Sequence, residues 1–225
     1  MKMTTSFKRH ELPIAYSMID AANRVRPRRD GRHPFDKFFL LWTAFNDIYN
    51  VIAARAGLST QLMLDEDGKV ETYTNGNATI PKVIPVSESE QINLAVQELD
   101  SKLKHTLIMH ESTHFFLSRT PYWQGKPIEM DAFGQKLNGV LNVNHTTRAD
   151  YPVWSPIDRQ IYDTYLANPD NDKDRDFLVG QIVNLLHTVR LNLVHFSKSF
   201  DDGNDIAVAQ NALPLLEIIV GSFIQ

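Results

Sequence analysis

Apolar residues recur along most of this chain at three- and four-residue steps, the period of an amphipathic helix. The clearest run is 173–197, where Leu178, Ile182, Leu185, Leu186, Val189, Leu193 and Phe196 fall on one narrow stripe at ~100° per residue. A second run, 35–56, puts Phe35, Phe38, Phe39, Trp42, Phe45, Tyr49 and Ala53 on one face, with Asp36 in its first turn and Gly57 as its stop. A third, 88–118, opens at Ser87 or Ser89 and carries Ile92, Val96, Leu99, Leu103, Leu107, His110, His114 and Leu117 on a single stripe. The last, 205–223, buries Ile206, Ala209, Leu213, Leu216, Ile219, Val220 and Phe223, with Pro214 expected to kink it. Shorter helices are expected over 12–25 and 158–167, the second closed by Asn168-Pro169. Long amphipathic helices must bury their stripes against one another, so the pattern predicts an all-α helical bundle.

The stretches between helices lack that period. Residues 57–87 and 119–156 read as loop insertions, the second rich in Pro and Gly. One small β-hairpin is expected around Asp67-Gly68, and 75–85 is read as loop. Residues 1–34 read as an N-terminal arm with a basic loop, and the whole chain, 1–225, as a single helical domain. Tyr122, Trp123, Tyr151 and Trp154 are more simply loop-pinning residues than base-stacking ones.

With 43% hydrophobic and 22% charged residues, the chain has room for a real core. Its formal net charge of −4 excludes a uniformly basic nucleic-acid-coating protein, so any RNA contact needs a local patch. The basic loop, with Arg24, Arg26, Arg28, Arg29, Arg32 and His33, is either such a patch or a solvated connector, and charge runs are usually the latter. The absence of cysteine excludes disulfides, thiolate zinc sites and a Cys nucleophile. Because the last apolar run carries Glu217 and the first residues have no apolar signal core, no membrane association and a cytoplasmic location are the expectation.

Two constellations carry candidate chemistry. In VRLNLVH, Arg190, Asn192 and His195 lie just off the apolar stripe, followed by Lys198 and the acidic loop FDDGND. A guanidinium holds phosphate oxygens through paired donors, and an imidazole moves protons near neutral pH. On an ideal helix Arg190 and His195 diverge by ~140°, so both reach one phosphate only if the helix ends or bends there or two subunits meet. The second constellation, His110-Glu-Ser-Thr-His114, fits the H-E-x-x-H zinc pattern. A catalytic zinc needs a third ligand, and the extended form fails at Leu117 and Thr120. Those histidines otherwise continue the core-facing stripe, or join the interior cleft of Arg190. Asn46, on the apolar side of its helix, either ties helix to helix or reaches that site, and the tie is the simpler reading.

The segment Arg190, Asn192, Leu193, His195 and Lys198 resembles the signature of HEPN domains, helical proteins built around an Arg, a short spacer and a His. The run LWTAFNDIY in 41–49 resembles their first long helix. The resemblance implies a HEPN-like bundle, a homodimer, and metal-independent cleavage of RNA without a cofactor. Arg190, His195 and Asn192 would be the catalytic group; Lys198, Arg26, Arg28 and Arg29 would contact RNA; His110, His114 and Asn46 would be auxiliary. It also implies a toxin or phage-defence role with an antitoxin protein as partner. Leu191 and Phe196 stand where the family has a polar residue and a Gly, so a HEPN module that binds RNA or protein without cutting stays open, as does an HExxH zinc hydrolase.

Overall fold

The aromatic run 33–55 is the axis of the structure, a computed structural model that describes residues 6–27, 33–58, 60–63, 65–75, 78–118, 122–123, 126–127, 156–195 and 203–224. Among these, the fold is predominantly helical, with eight helices and three small antiparallel strand pairs. In chain order they are α1 (Pro13–Arg24), α2 (His33–Arg55), β1 (Thr60–Leu62), β2 (Thr72–Asn75), β3 (Ala78–Pro81), β4 (Val83–Pro85), α3 (Glu88–Glu98), α4 (Ser101–Met109), α5 (Glu111–Ser118), β5 (Tyr122–Trp123), β6 (Lys126–Pro127), α6 (Pro156–Ala167), α7 (Asp172–His195) and α8 (Gly203–Ser222).

Helix α2 packs against α1, α3, α7 and α8, which explains why it buries more than one stripe: Leu41, Ala44, Ile48 and Ile52 join the predicted aromatic face. Its rings form a ladder, Phe38 on Trp42, Trp42 edge-on to Phe45, and Phe45 edge-on to Tyr49 at 5.3 Å. Complete burial of rings such as Phe38 and Phe45 contributes roughly 2–3 kcal/mol each by transfer from water. The helix stops at Gly57, whose φ of +71° suits a residue without Cβ, with the Leu58 N–H closing back on the Ala53 carbonyl.

The N-terminal segment, expected as an arm, is part of the core. Phe7, Leu12, Ala15, Tyr16 and Ala22 are buried, and the Phe7 N–H donates to the Phe223 carbonyl at 2.8 Å. The Ala15 N–H, one of the orphan donors at the start of α1, is taken by Asp47 of α2 at 3.0 Å.

The run 88–118 is three helices and not one. Ser87 caps α3 in a reciprocal box with Glu90. The chain then turns extended at Leu99, and Asp100 caps α4 by accepting the Leu103 N–H at 2.8 Å. A second extended residue, His110, separates α4 from α5. Periodicity survived across both breaks, which is why the pattern read as continuous. Polar contacts fix the assembly: buried Lys104 of α4 pairs with Asp176 of α7 at 2.9 Å, and His105 meets the Tyr165 hydroxyl of α6 at 2.6 Å.

The 57–87 region also departs from expectation. The turn at Asp67-Gly68 forms, with Gly68 at φ +77° and Asp65 accepting the Asp67 and Lys69 N–H groups. Yet β1 pairs with β4 and β2 with β3, so 75–85, read as loop, supplies two strands. Pro81 and Pro85 sit at strand ends, opposite Thr72 and Thr60, where a missing N–H is tolerated.

Helix α8 is long and apolar enough over Asp205–Ser222 to cross a membrane by length and composition, contrary to the expectation drawn from Glu217. In the fold 44% of that window is buried, and Glu217 pairs with Lys37 of α2 at 2.5 Å.

Candidate functional site

Three helices bring polar side chains to one place. On α2, Trp42, Asn46 and Tyr49 recur at four- and three-residue steps, with Asn50 beside them. The capping box fixes the first turn of α3, and so places Glu88 and Gln91. On α7, His187 and Arg190 are three residues apart and share a face at ~60°. Between these helices opens a mostly polar cleft of about 290 Å³, lined by Asn46, Tyr49 and Asn50 from α2, Val86, Glu88 and Gln91 at the start of α3, and Arg190 from α7.

Glu88 is the hub of the cleft. One carboxylate oxygen accepts the Tyr49 hydroxyl at 2.7 Å, and the other lies 3.4 Å from His187 Nε2, outside hydrogen-bond geometry. The His187 ring stacks on Trp42 with centroids 5.7 Å apart and planes 8° apart. Burial pushes the imidazole pKa below its ordinary value, opposed by Glu88 and reinforced by the Arg190 cation. Burial, and then the bond to Glu88, push the Tyr49 phenol well above its usual range, so it stays a neutral donor. Asn50 donates to Asn46 at 2.5 Å, and Gln91 donates to the Val86 carbonyl at 3.0 Å.

Arg190 is half-buried, and no side-chain hydrogen bond or ion pair joins it to any described residue. Glu88 lines the same cleft, yet the two do not pair. A guanidinium keeps its charge and carries five donors, so one with no acceptor among the described residues, lining an open polar cleft, can take an anion there.

Of the residues singled out in the sequence, Arg190 and Asn46 line this cleft. Among the described residues Asn46 bonds only within its own helix, to Asn50. The backbone of α7 runs unbroken through His195, so the divergence between positions 190 and 195 persists along it. The side chains of Asn192 and His195, and all of Arg28, Arg29 and Lys198, lie outside the described residues. Arg26 is exposed just beyond α1.

The H-E-x-x-H pair is not aligned on one helix. His110 is the extended residue between α4 and α5, and its Nδ1 accepts the Ser112 N–H at 3.1 Å. His114 is exposed on α5, with its Nε2 3.0 Å from the Tyr162 hydroxyl. It is Ser112 and Thr113 that are buried, so neither histidine continues a core stripe, and neither lines the Arg190 cleft. Among the described residues no group of three His, Asp or Glu is gathered as a metal site.

Sequence reasoning missed Glu88, His187, Gln91 and the polar role of Tyr49. The step from His187 to Arg190 was legible as one helical face; nothing local pointed to Glu88, whose partners lie on other helices.

Fold and cleft together define a predominantly helical protein in which a guanidinium unpaired among the described residues shares a cleft with a clamped carboxylate. No protein-family model matches the chain, and no curated protein and no solved structure matches it.

Proposed function

We propose that this chain is a HEPN-like protein acting on RNA, with the Arg190 cleft receiving a backbone phosphate. The observation that carries the reading is Arg190 itself, half-buried, unpaired among the described residues, and lining an open polar cleft. In this reading Arg190 stabilises charge growing on the phosphate, and His195, by resemblance, handles a proton of the 2′-hydroxyl or of the leaving oxygen. Cleavage then leaves a 2′,3′-cyclic phosphate and a 5′-hydroxyl without a metal ion. A homodimer that brings His195 of one protomer to Arg190 of the other would satisfy the spacing. Cytoplasmic action as a toxin or phage-defence effector, held by an antitoxin protein, belongs to the same proposal.

A second reading, RNA binding without cleavage, is favoured by the unbroken course of α7 between Arg190 and His195 and by Leu191. One experiment separates the two. The purified chain is incubated with RNA in EDTA, beside Arg190→Ala and His195→Ala, and binding is measured across a salt series. Cleavage lost in both variants is the expected result. Arg190→Ala should also flatten the logarithmic salt slope by about 0.7, the share of one single-strand phosphate contact. Binding with no cleavage supports the second reading. An Arg190→Ala variant that binds RNA with unchanged affinity and slope refutes both.

A further inference from the structure

We propose that Glu88 is the residue with which the cleft recognises ribose: its carboxylate accepts the 2′-hydroxyl of the nucleotide whose phosphate Arg190 holds. This inference rests on the RNA reading above and deepens it from phosphate contact to a choice between RNA and DNA.

Two opposite charges share the cleft and do not meet. Glu88 and Arg190 line one cleft of about 290 Å³ and form no ion pair. Glu88 is held on its own side by the Tyr49 hydroxyl at 2.7 Å and faces His187 at 3.4 Å. His187 in turn is fixed by its stack on Trp42. Tyr49 lines the cleft but gives its hydroxyl to Glu88, so it acts as a positioning residue, while His187, stacked on Trp42, faces the same carboxylate without bonding it.

The clamp does not exhaust the acceptor. A carboxylate has about four lone-pair sites, and the hydroxyl of Tyr49 occupies one. The Glu88 side chain is 33% exposed, so the remaining sites are within reach of a ligand. A ligand that satisfies this cleft must offer an anion to Arg190 and, close by, a hydrogen-bond donor to Glu88. An anion alone would leave Glu88 repelling it. One ribonucleotide meets both demands, because its 2′-hydroxyl and 3′-phosphate hang from adjacent ring carbons. A deoxynucleotide supplies the phosphate and no donor, and leaves the carboxylate facing it unpaid by any bond. The 2′-hydroxyl is the group by which proteins tell RNA from DNA at a single site.

The test uses the full chain carrying His195→Ala, so that bound RNA stays intact, and two probes: a fluorescent oligouridylate and its 2′-deoxy counterpart of equal length. The expected result is about a tenfold preference for the ribose form, the range of a hydrogen bond to a charged acceptor. Adding Glu88→Ala should bring the two affinities together, while adding Arg190→Ala weakens both alike. Glu88→Gln keeps the side-chain volume and one carbonyl acceptor, so it should retain part of the preference and stand in if the alanine variant does not fold. A preference undiminished in Glu88→Ala or Glu88→Gln overturns the inference. Equal binding of both oligonucleotides that still depends on Arg190 also overturns it, and leaves the phosphate reading standing. No binding of either probe removes the RNA reading and this inference together.

Discussion

Replacing Tyr49 by Phe removes one oxygen from the centre of the molecule and isolates what the clamp on Glu88 contributes. The ring is 2% exposed and edge-on to Phe45, so Phe fills the same space and leaves the aromatic ladder intact. What is lost is the 2.7 Å bond to the Glu88 carboxylate. A hydrogen bond to a charged group contributes ~1.5–3 kcal/mol when both partners are dry. Here Glu88 is one-third exposed and water can replace the phenol, so the lower end applies, about 1–1.5 kcal/mol. For a chain of this size that lowers Tm by roughly 2–6 °C. The clean measurement is a double-mutant cycle with Glu88→Ala, which leaves no acceptor for the phenol, followed by urea denaturation and thermal melting. A coupling energy of about 1 kcal/mol is expected, and one within ~0.3 kcal/mol of zero would refute the clamp. The pH dependence gives an independent check. The folded phenol has a pKa above its unfolded value of 10.0, so its contribution is complete below pH 10.0 and is lost as pH rises beyond it, where the unfolded chain ionises first. Tyr49→Phe should remove this share of the alkaline slope.

Two further outcomes follow from the same packing. His187 has its pKa lowered by burial, so between that lowered value and the ordinary 6.5 the unfolded chain binds more protons, and stability falls as pH drops through this window; His187→Gln should flatten the slope there, and an unchanged profile by pH-dependent urea denaturation would count against the buried placement. Asp100→Ala removes the cap that starts α4 and should cost about 1 kcal/mol, ~2–4 °C in Tm, with no change in the Trp42–His187 stack read by tryptophan fluorescence. A stability loss under ~0.3 kcal/mol would mean that the break at Leu99 does not depend on that cap.

What the chain discloses by itself is set by how local each determinant is. The amphipathic period of 173–197 and 35–56 comes from neighbours one turn apart, and both helices form within a few residues of where it predicts them. The breaks inside 88–118 are equally local in cause, yet hidden. Asp100 and His110 occur where the apolar stripe resumes in phase, so the periodicity outvoted a single good capping residue. The strands of 72–85 were concealed differently, since Pro81 and Pro85 carry a loop signal that pairing at a strand end neutralises. The cleft is the least local feature of all. Arg190 was visible because guanidinium chemistry is written in one residue. Glu88 was not, because it reads in the sequence as an ordinary first-turn acid that suits a helix dipole. Only when α2 lays Tyr49 across it, and α7 sets His187 and Arg190 behind and beside it, does that carboxylate become a fixed acceptor. The function argued for this protein therefore depends on a helix junction. It predicts that substitutions loosening the α2–α3–α7 contact, not only those at Arg190, will be felt in how tightly the cleft holds its ligand.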